Sequence, residues 1–109
     1  MKTENKNSIV WFNEEWHDGS KPIMSSMSQS YMHGSTIFDG ARVYNNTIPD
    51  LHKHCERLIN SSKVMGLSVP ISKERLIELC KEGVKFFEDG AELYIRPSVF
   101  CDEGFLIPD

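Results

Sequence analysis

The sequence predicts a small α+β domain built from an antiparallel sheet and two packed amphipathic helices. Two long stretches repeat apolar residues at helical spacing, and several short ones alternate or are rich in β-formers. At 109 residues the chain has room for one domain with a modest core.

Apolar residues make up 39% and charged residues 26%, which fits a soluble globular domain better than a disordered or fibrous chain. Lys and Arg number 12 against 16 Asp and Glu, a net charge of −4, and the basic residues are scattered. No basic stripe is available to neutralise a nucleic-acid backbone, so nucleic acid is not an expected partner. Met1–Ser8 is polar. No later stretch approaches the roughly 20 apolar residues of a membrane-spanning helix, so no membrane is expected and the expected compartment is cytoplasmic. Cys55, Cys80 and Cys101 are odd in number and lack paired metal spacing. Two of them fall on apolar helix faces, and all three read as reduced core thiols.

Ser8–Phe12 is rich in β-formers and Asn13–Glu15 separates it from Trp16, which predicts an opening hairpin. Asp18–Pro22 then turns the chain. Met24–Met32 has no clear period and reads as loop or a single helical turn, with a break at Gly34. Thr36–Tyr44 reads as one strand, Asn45-Asn46 as a turn, and the residues around Ile48 as a short second strand.

Asp50 stands where a helix N-cap belongs. Leu51, Cys55, Leu58, Ile59 and Met65 recur at helical spacing and Gly66 supplies a stop, so Asp50–Met65 is an expected amphipathic helix. Ser72 caps a second helix with Glu74 in its first turn. Its apolar stripe is Leu76, Ile77, Leu79, Cys80, Val84 and Phe87, running up to Asp89-Gly90 and weakened slightly by Gly83. Leu93–Phe100 reads as a last strand in which Pro97 implies an edge, a bulge or a position whose N–H the ladder does not need.

Alternation along the strands sorts their side chains. Phe38, Gly40, Arg42 and Tyr44 project to one side, and Ile37, Asp39, Ala41 and Val43 to the other. In the last strand Tyr94, Arg96, Ser98 and Phe100 share one face, while Leu93, Ile95 and Val99 share the other. Aromatic rings, a gap left by Gly40 and guanidinium forks would suit an anionic ligand lying against the sheet. A solvated face with a glycine bulge and surface ion pairs explains the same residues. On the first long helix His54, Arg57 and Ser61 lie along one edge of the apolar stripe, where they could grip a phosphate or simply form a boundary histidine and a snorkelling arginine. No Ser-His-Asp order, glycine-rich phosphate loop or zinc spacing stands out.

His33-Gly-Ser-Thr-Ile-Phe-Asp-Gly-Ala-Arg42 resembles the Tyr-Gly-x-x-x-Phe-Glu-Gly-x-Arg segment of branched-chain amino-acid aminotransferases, within the fold-type IV (class IV) pyridoxal-phosphate enzymes. Leu51-His-Lys-His-Cys-Glu-Arg-Leu58 and Leu93-Tyr-Ile-Arg-Pro97 follow in the family's order. The resemblance covers nearly the whole chain and implies that residues 1–109 are the N-terminal small domain of such an enzyme, cut off before its C-terminal domain. It implies that Arg57 binds the phosphate of pyridoxal 5'-phosphate, and that His33, Phe38, Gly40, Arg42, Tyr94 and Arg96 line or support the substrate pocket.

The implied reaction moves the amino group of valine, leucine or isoleucine to 2-oxoglutarate, in a homodimer or higher homo-oligomer. In this family the lysine that binds the cofactor covalently comes from the larger second domain. Lys63, Lys81 and Lys85 lack its context, so no catalytic residue and no metal ligand is assigned here, and the 109 residues alone are expected to be inactive. Three positions depart from the pattern: His33 stands for Tyr, Asp39 for Glu, and Ala41 for a branched residue. They leave open another class IV member, such as a D-amino-acid or amine transaminase or an aminodeoxychorismate lyase, although Gly40-Ala-Arg42 argues for the branched-chain type. A non-catalytic cap or assembly module is the alternative of a different class. The Arg57 assignment carries the expectation that Arg57→Ala weakens cofactor retention before it harms folding.

Overall fold

The computed structural model describes residues 7–101, so the polar first residues and the end of the chain at Asp109 lie outside it. An opening hairpin joins β1 (Ile9–Phe12) to β2 (Glu15–Asp18) through Asn13 and Glu14, both at positive φ (52° and 63°). Paired left-handed residues are what a two-residue hairpin turn of the right twist requires. Trp11 and Trp16 face each other across the ladder.

Ser28 caps α1 (Gln29–His33), its hydroxyl accepting from the Tyr31 N–H at 3.1 Å, and Gly34 ends it at φ 70°. Of Met24–Met32, read as loop or a single helical turn, the first residues are loop and the last enter this short helix. Its Ser30 bonds Cys101 through both backbone and side chain, which fixes α1 to the far end of the last strand.

The two long strands of the sequence reading are each broken in the middle. Thr36–Tyr44 becomes β3 (Thr36–Phe38) and β4 (Ala41–Val43), and Leu93–Phe100 becomes β5 (Leu93–Ile95) and β6 (Ser98–Phe100). β3 pairs with β6 and β4 with β5, antiparallel in both cases. The register does not slip between them: Phe38 faces Ser98 on one side of the gap and Ala41 faces Ile95 on the other. The result is one creased ribbon.

The crease has a local chemical cause. Pro97 has no N–H to donate, so the Asp39–Pro97 pair lacks one of its two ladder hydrogen bonds, and beside it the Gly40 N–H bonds the Asp39 carboxylate at 2.8 Å. The Asp39 N–H still reaches the Pro97 carbonyl at 3.1 Å. The expected strand near Ile48 is absent. Asn45 and Asn46, at φ 48° and 62°, close a tight turn in which Tyr44 and Thr47 exchange both backbone bonds.

Two helices pack together beside this ribbon. α2 (Leu51–Val64) buries Leu51, Cys55, Leu58 and Ser62, and Gly66 follows it at φ 76° as the expected stop. Met65, placed on the apolar stripe by spacing, is exposed, and Ser62 takes the buried position because its hydroxyl donates to the Leu58 carbonyl at 2.7 Å. Asp50 precedes the helix but does not cap it with its side chain. A left-handed backbone (φ 55°) turns the carboxylate away from the first-turn N–H groups. α3 (Lys73–Val84) is capped by Ser72, whose hydroxyl accepts from the Arg75 N–H at 3.1 Å, and it stops before Phe87.

Leu51, Cys55 and Cys80 form the buried cluster between the helices, with Ile48, Leu76, Ile77 and Ile95 packed on it. Burying a side chain such as Leu58, 2% exposed, contributes roughly 1.5–3 kcal/mol. All three cysteines are free thiols. Burial pushes the Cys55 thiol up, and burial together with the adjacent Cys55 pushes Cys80 up to about 12, so both stay protonated and behave as small hydrophobes. Gly83 has a packing reason of its own. A Cβ there would stand 2.8 Å from the Trp16 ring, which lies on α3 and meets Phe86 at 5.3 Å.

Candidate functional site

The alternation read from the strands survives the crease. Phe38, Arg42, Tyr94 and Arg96 are exposed, while Asp39, Ala41 and Val43 are buried. Each face carries one arginine-centred cluster.

On the exposed face the Arg96 guanidinium sits 5.0 Å from the centre of the Phe38 ring and 5.4 Å from that of Tyr94. Either ring alone offers an attractive face to a cation, and here both lie within reach of the same guanidinium. Arg42 shares this face directly opposite Tyr94 in the register. Gly40 does not leave an open gap for a ligand, as the sequence suggested. A Cβ there would stand 2.5 Å from the Tyr94 hydroxyl, so the glycine seats the tyrosine ring, and its absent side chain is what lets Tyr94 lean toward Arg96. His33 is not on the ribbon at all. It occupies the exposed last position of α1.

Arg57 belongs to the other cluster. Its Nε and Nη2 donate to the two Asp39 carboxylate oxygens at 2.6 and 2.8 Å, a two-toothed grip. His54 Nδ1 lies 2.8 Å from Asp39 Oδ1, and since a carboxylate only accepts, this nitrogen carries the proton. It therefore has no lone pair for Arg57 Nη2, and their 3.3 Å approach is a contact within the cluster. Asp39 is 6% exposed against 66% for the Arg57 side chain, so the anion is the buried end of the pair. The Arg57 hydrogen bonds hold the Asp39 carboxyl well below the usual carboxylate range; burial opposes them, and His54 and the Gly40 N–H add to them. Asp39 in turn raises the Arg57 pKa. Ser61, on the same helix edge, is half-buried.

The sequence named Asp39 only as a departure from glutamate and His54 as a phosphate contact or boundary residue, and the pairing of the two was missed. Their signal was present: an acid among Ile37, Ala41 and Val43 on a buried face demands a partner, and His54 and Arg57 are one helical turn apart. Among the described residues no group of His, Cys, Asp and Glu side chains has metal-binding geometry, and no helix is long and apolar enough to cross a membrane.

The comparisons with known proteins place this two-helix layer and creased ribbon in a family, and the chain belongs to the class IV aminotransferases. The amino-transferase class IV model matches residues 36–108. A probable branched-chain-amino-acid aminotransferase from Rickettsia bellii is 33% identical over 91% of this chain and 34% of its own length. An aminotransferase from Brucella abortus, solved bound to the co-factor PLP, superposes with a TM-score of 0.85 at 34% identity, over 88% of this chain and 34% of that one. A branched-chain aminotransferase from Thermoproteus uzoniensis, solved with norvaline, gives 0.79 at 31% identity, over 87% of this chain and 33% of that one. The chain spans about a third of the length of the relatives it matches.

Proposed function

We propose that residues 1–109 are the N-terminal small domain of a branched-chain amino-acid aminotransferase. It transfers the amino group of valine, leucine or isoleucine to 2-oxoglutarate with pyridoxal 5'-phosphate, as a homodimer or higher homo-oligomer in the cytoplasm. The Arg96 guanidinium against Phe38 and Tyr94 is the observation that carries this reading, because it presents an apolar ring beside a cation with no hydrogen-bond partner among the described residues. Leucine needs the first of these features, and the second carboxylate of glutamate needs the other. The names of the relatives point the same way.

The residues present fit the cofactor. Arg57 keeps Nη1 unbonded among the described residues on a guanidinium already fixed in orientation, which is the donor a phosphate oxygen takes. When bound, pyridoxal phosphate supplies the electron sink and carries the amino group between the two substrates. This chain's residues bind and orient: Arg57 holds the phosphate, Phe38 packs on the apolar side chain, Arg96 and Arg42 bind carboxylate, and Tyr94 on Gly40 supports Arg96. His33 contributes from α1 by approaching the substrate carboxylate. The lysine that bonds the cofactor and the proton transfers at the reacting carbon lie outside these residues.

The test is to express the reading frame that continues through residue 109 and assay it with pyridoxal phosphate. L-leucine and 2-oxoglutarate should give glutamate and the oxo acid. Turnover of D-alanine or an aromatic amine in their place would assign another class IV activity. A stop directly after Asp109, with no cofactor bound, would favour a non-catalytic cap.

A further inference from the structure

The functional reading leaves the best-anchored side chain of the site without a task. Asp39 is almost completely buried, and its carboxylate is fixed by three groups: the Arg57 fork, His54 Nδ1 and the Gly40 N–H. An ion pair that only decorates a surface is wet at both ends, and a core pair is dry at both. This pair is dry at the carboxylate and two-thirds exposed at the guanidinium.

We propose that Asp39, assisted by His54, is a positioning residue that mounts Arg57 so that Nη1 and the outer edge of the guanidinium face the phosphate of pyridoxal phosphate. The inference rests on the functional reading above. Asp39 ties up the inner edge of the fork, Nε and one Nη2 hydrogen, and so removes the alternative orientations in which the same arginine would swing into solvent. His54, donating to Oδ1, keeps the carboxylate from rotating out of that grip. The adjoining Gly40 carries the Tyr94 ring, so one peptide unit sets both the phosphate donor on one face and the arginine stack on the other.

The decisive measurement compares two ligands in the complete enzyme, pyridoxal phosphate and pyridoxal lacking the phosphate. In Asp39→Asn the affinity for pyridoxal phosphate should fall on the order of tenfold to a hundredfold, the size of one charge-assisted hydrogen bond, with pyridoxal affinity unchanged. Asp39→Glu, which keeps the carboxylate, should recover most of the loss. His54→Gln leaves the Asp39–Arg57 pair in place and should show the same phosphate-selective loss at about threefold, so the inference remains testable if Asp39→Asn does not fold. Equal weakening for both ligands would reduce Asp39 to a support of the fold and overturn the inference, as would unchanged affinity for both. A parent enzyme that binds neither ligand, or does not prefer the phosphorylated one, overturns the functional reading and this inference together.

Discussion

Arg57 and Arg96 are held on opposite faces of one ribbon by different physics. A buried carboxylate grips Arg57 through two N–H groups at 2.6 and 2.8 Å. Two aromatic rings flank Arg96 at 5.0 and 5.4 Å and take none of its hydrogens. The first arrangement fixes direction and spends donors. The second holds the guanidinium in place and, among the described residues, spends none of its donors. A group that never changes, such as a cofactor phosphate, is suited to the first, and a pocket that must receive both a carboxylate and an aliphatic chain is suited to the second.

The largest expected effect tests the Arg96 side of this contrast. Arg96→Ala in the complete enzyme should lower the specificity constant for glutamate on the order of a hundredfold more than that for leucine, since glutamate alone loses a carboxylate partner. Single-turnover kinetics with each donor decides it, and equal losses would make Arg96 structural. Next comes Arg57→Ala, where a cost to folding joins the expected weakening of cofactor retention. Removing Arg57 leaves Oδ2 of a carboxylate that is 6% exposed without its hydrogen bond, and a buried acceptor left unsatisfied costs about 1–3 kcal/mol, so unfolding measurements should show a stability loss even without cofactor. Introducing Asp39→Asn as well should relieve part of that loss, whereas Arg96→Ala should leave stability nearly unchanged.

Acid sharpens the comparison further. The folded-state pKa of Asp39 is depressed below its ordinary 3.8, so its contribution to stability is complete above that value and is lost as the pH falls beneath it. The parent should lose stability relative to Asp39→Asn at up to about 1.4 kcal/mol per pH unit in that window, measured by denaturant titration at successive pH values. A gap that does not change with acid would mean the carboxylate is not charged in the fold. The smallest effect belongs to the rings. Phe38→Leu removes one cation–π face at an exposed site, so the carboxylate affinity carried by Arg96 should weaken by about 0.5–1 kcal/mol, readable as an increase of a few-fold in the glutamate KM.

Periodicity made the helices legible, because apolar spacing and the Ser72 and Gly66 signals are local and the same residues do the packing. Strand faces were legible for the same reason, since alternation is a property of the backbone and continues through the crease. Contacts between elements distant in sequence were not. Nothing local says that Gly40 seats Tyr94, or that Arg57 spends its fork on Asp39 eighteen residues away. The family pattern drew attention to Arg57 and treated Asp39 only as a variant of glutamate, although a lone acid on a buried face was the stronger physical clue. Asp50 failed as a cap because its backbone conformation depends on the turn before it, which residue type does not encode.

Pro97 acts on assembly of the ribbon as a registration mark does in printing. The pairing is correct when Pro97 lies against Asp39, whose N–H its carbonyl accepts at 3.1 Å. Moving either strand by a single residue would break that bond. The same step would turn Phe38 into the core and Asp39 out to water, breaking both arginine clusters at once. The two halves of the ladder, three paired residues each, are too short to define their alignment by length alone. The bond between Asp39 and Pro97 and the two unlike faces around it make misalignment self-rejecting.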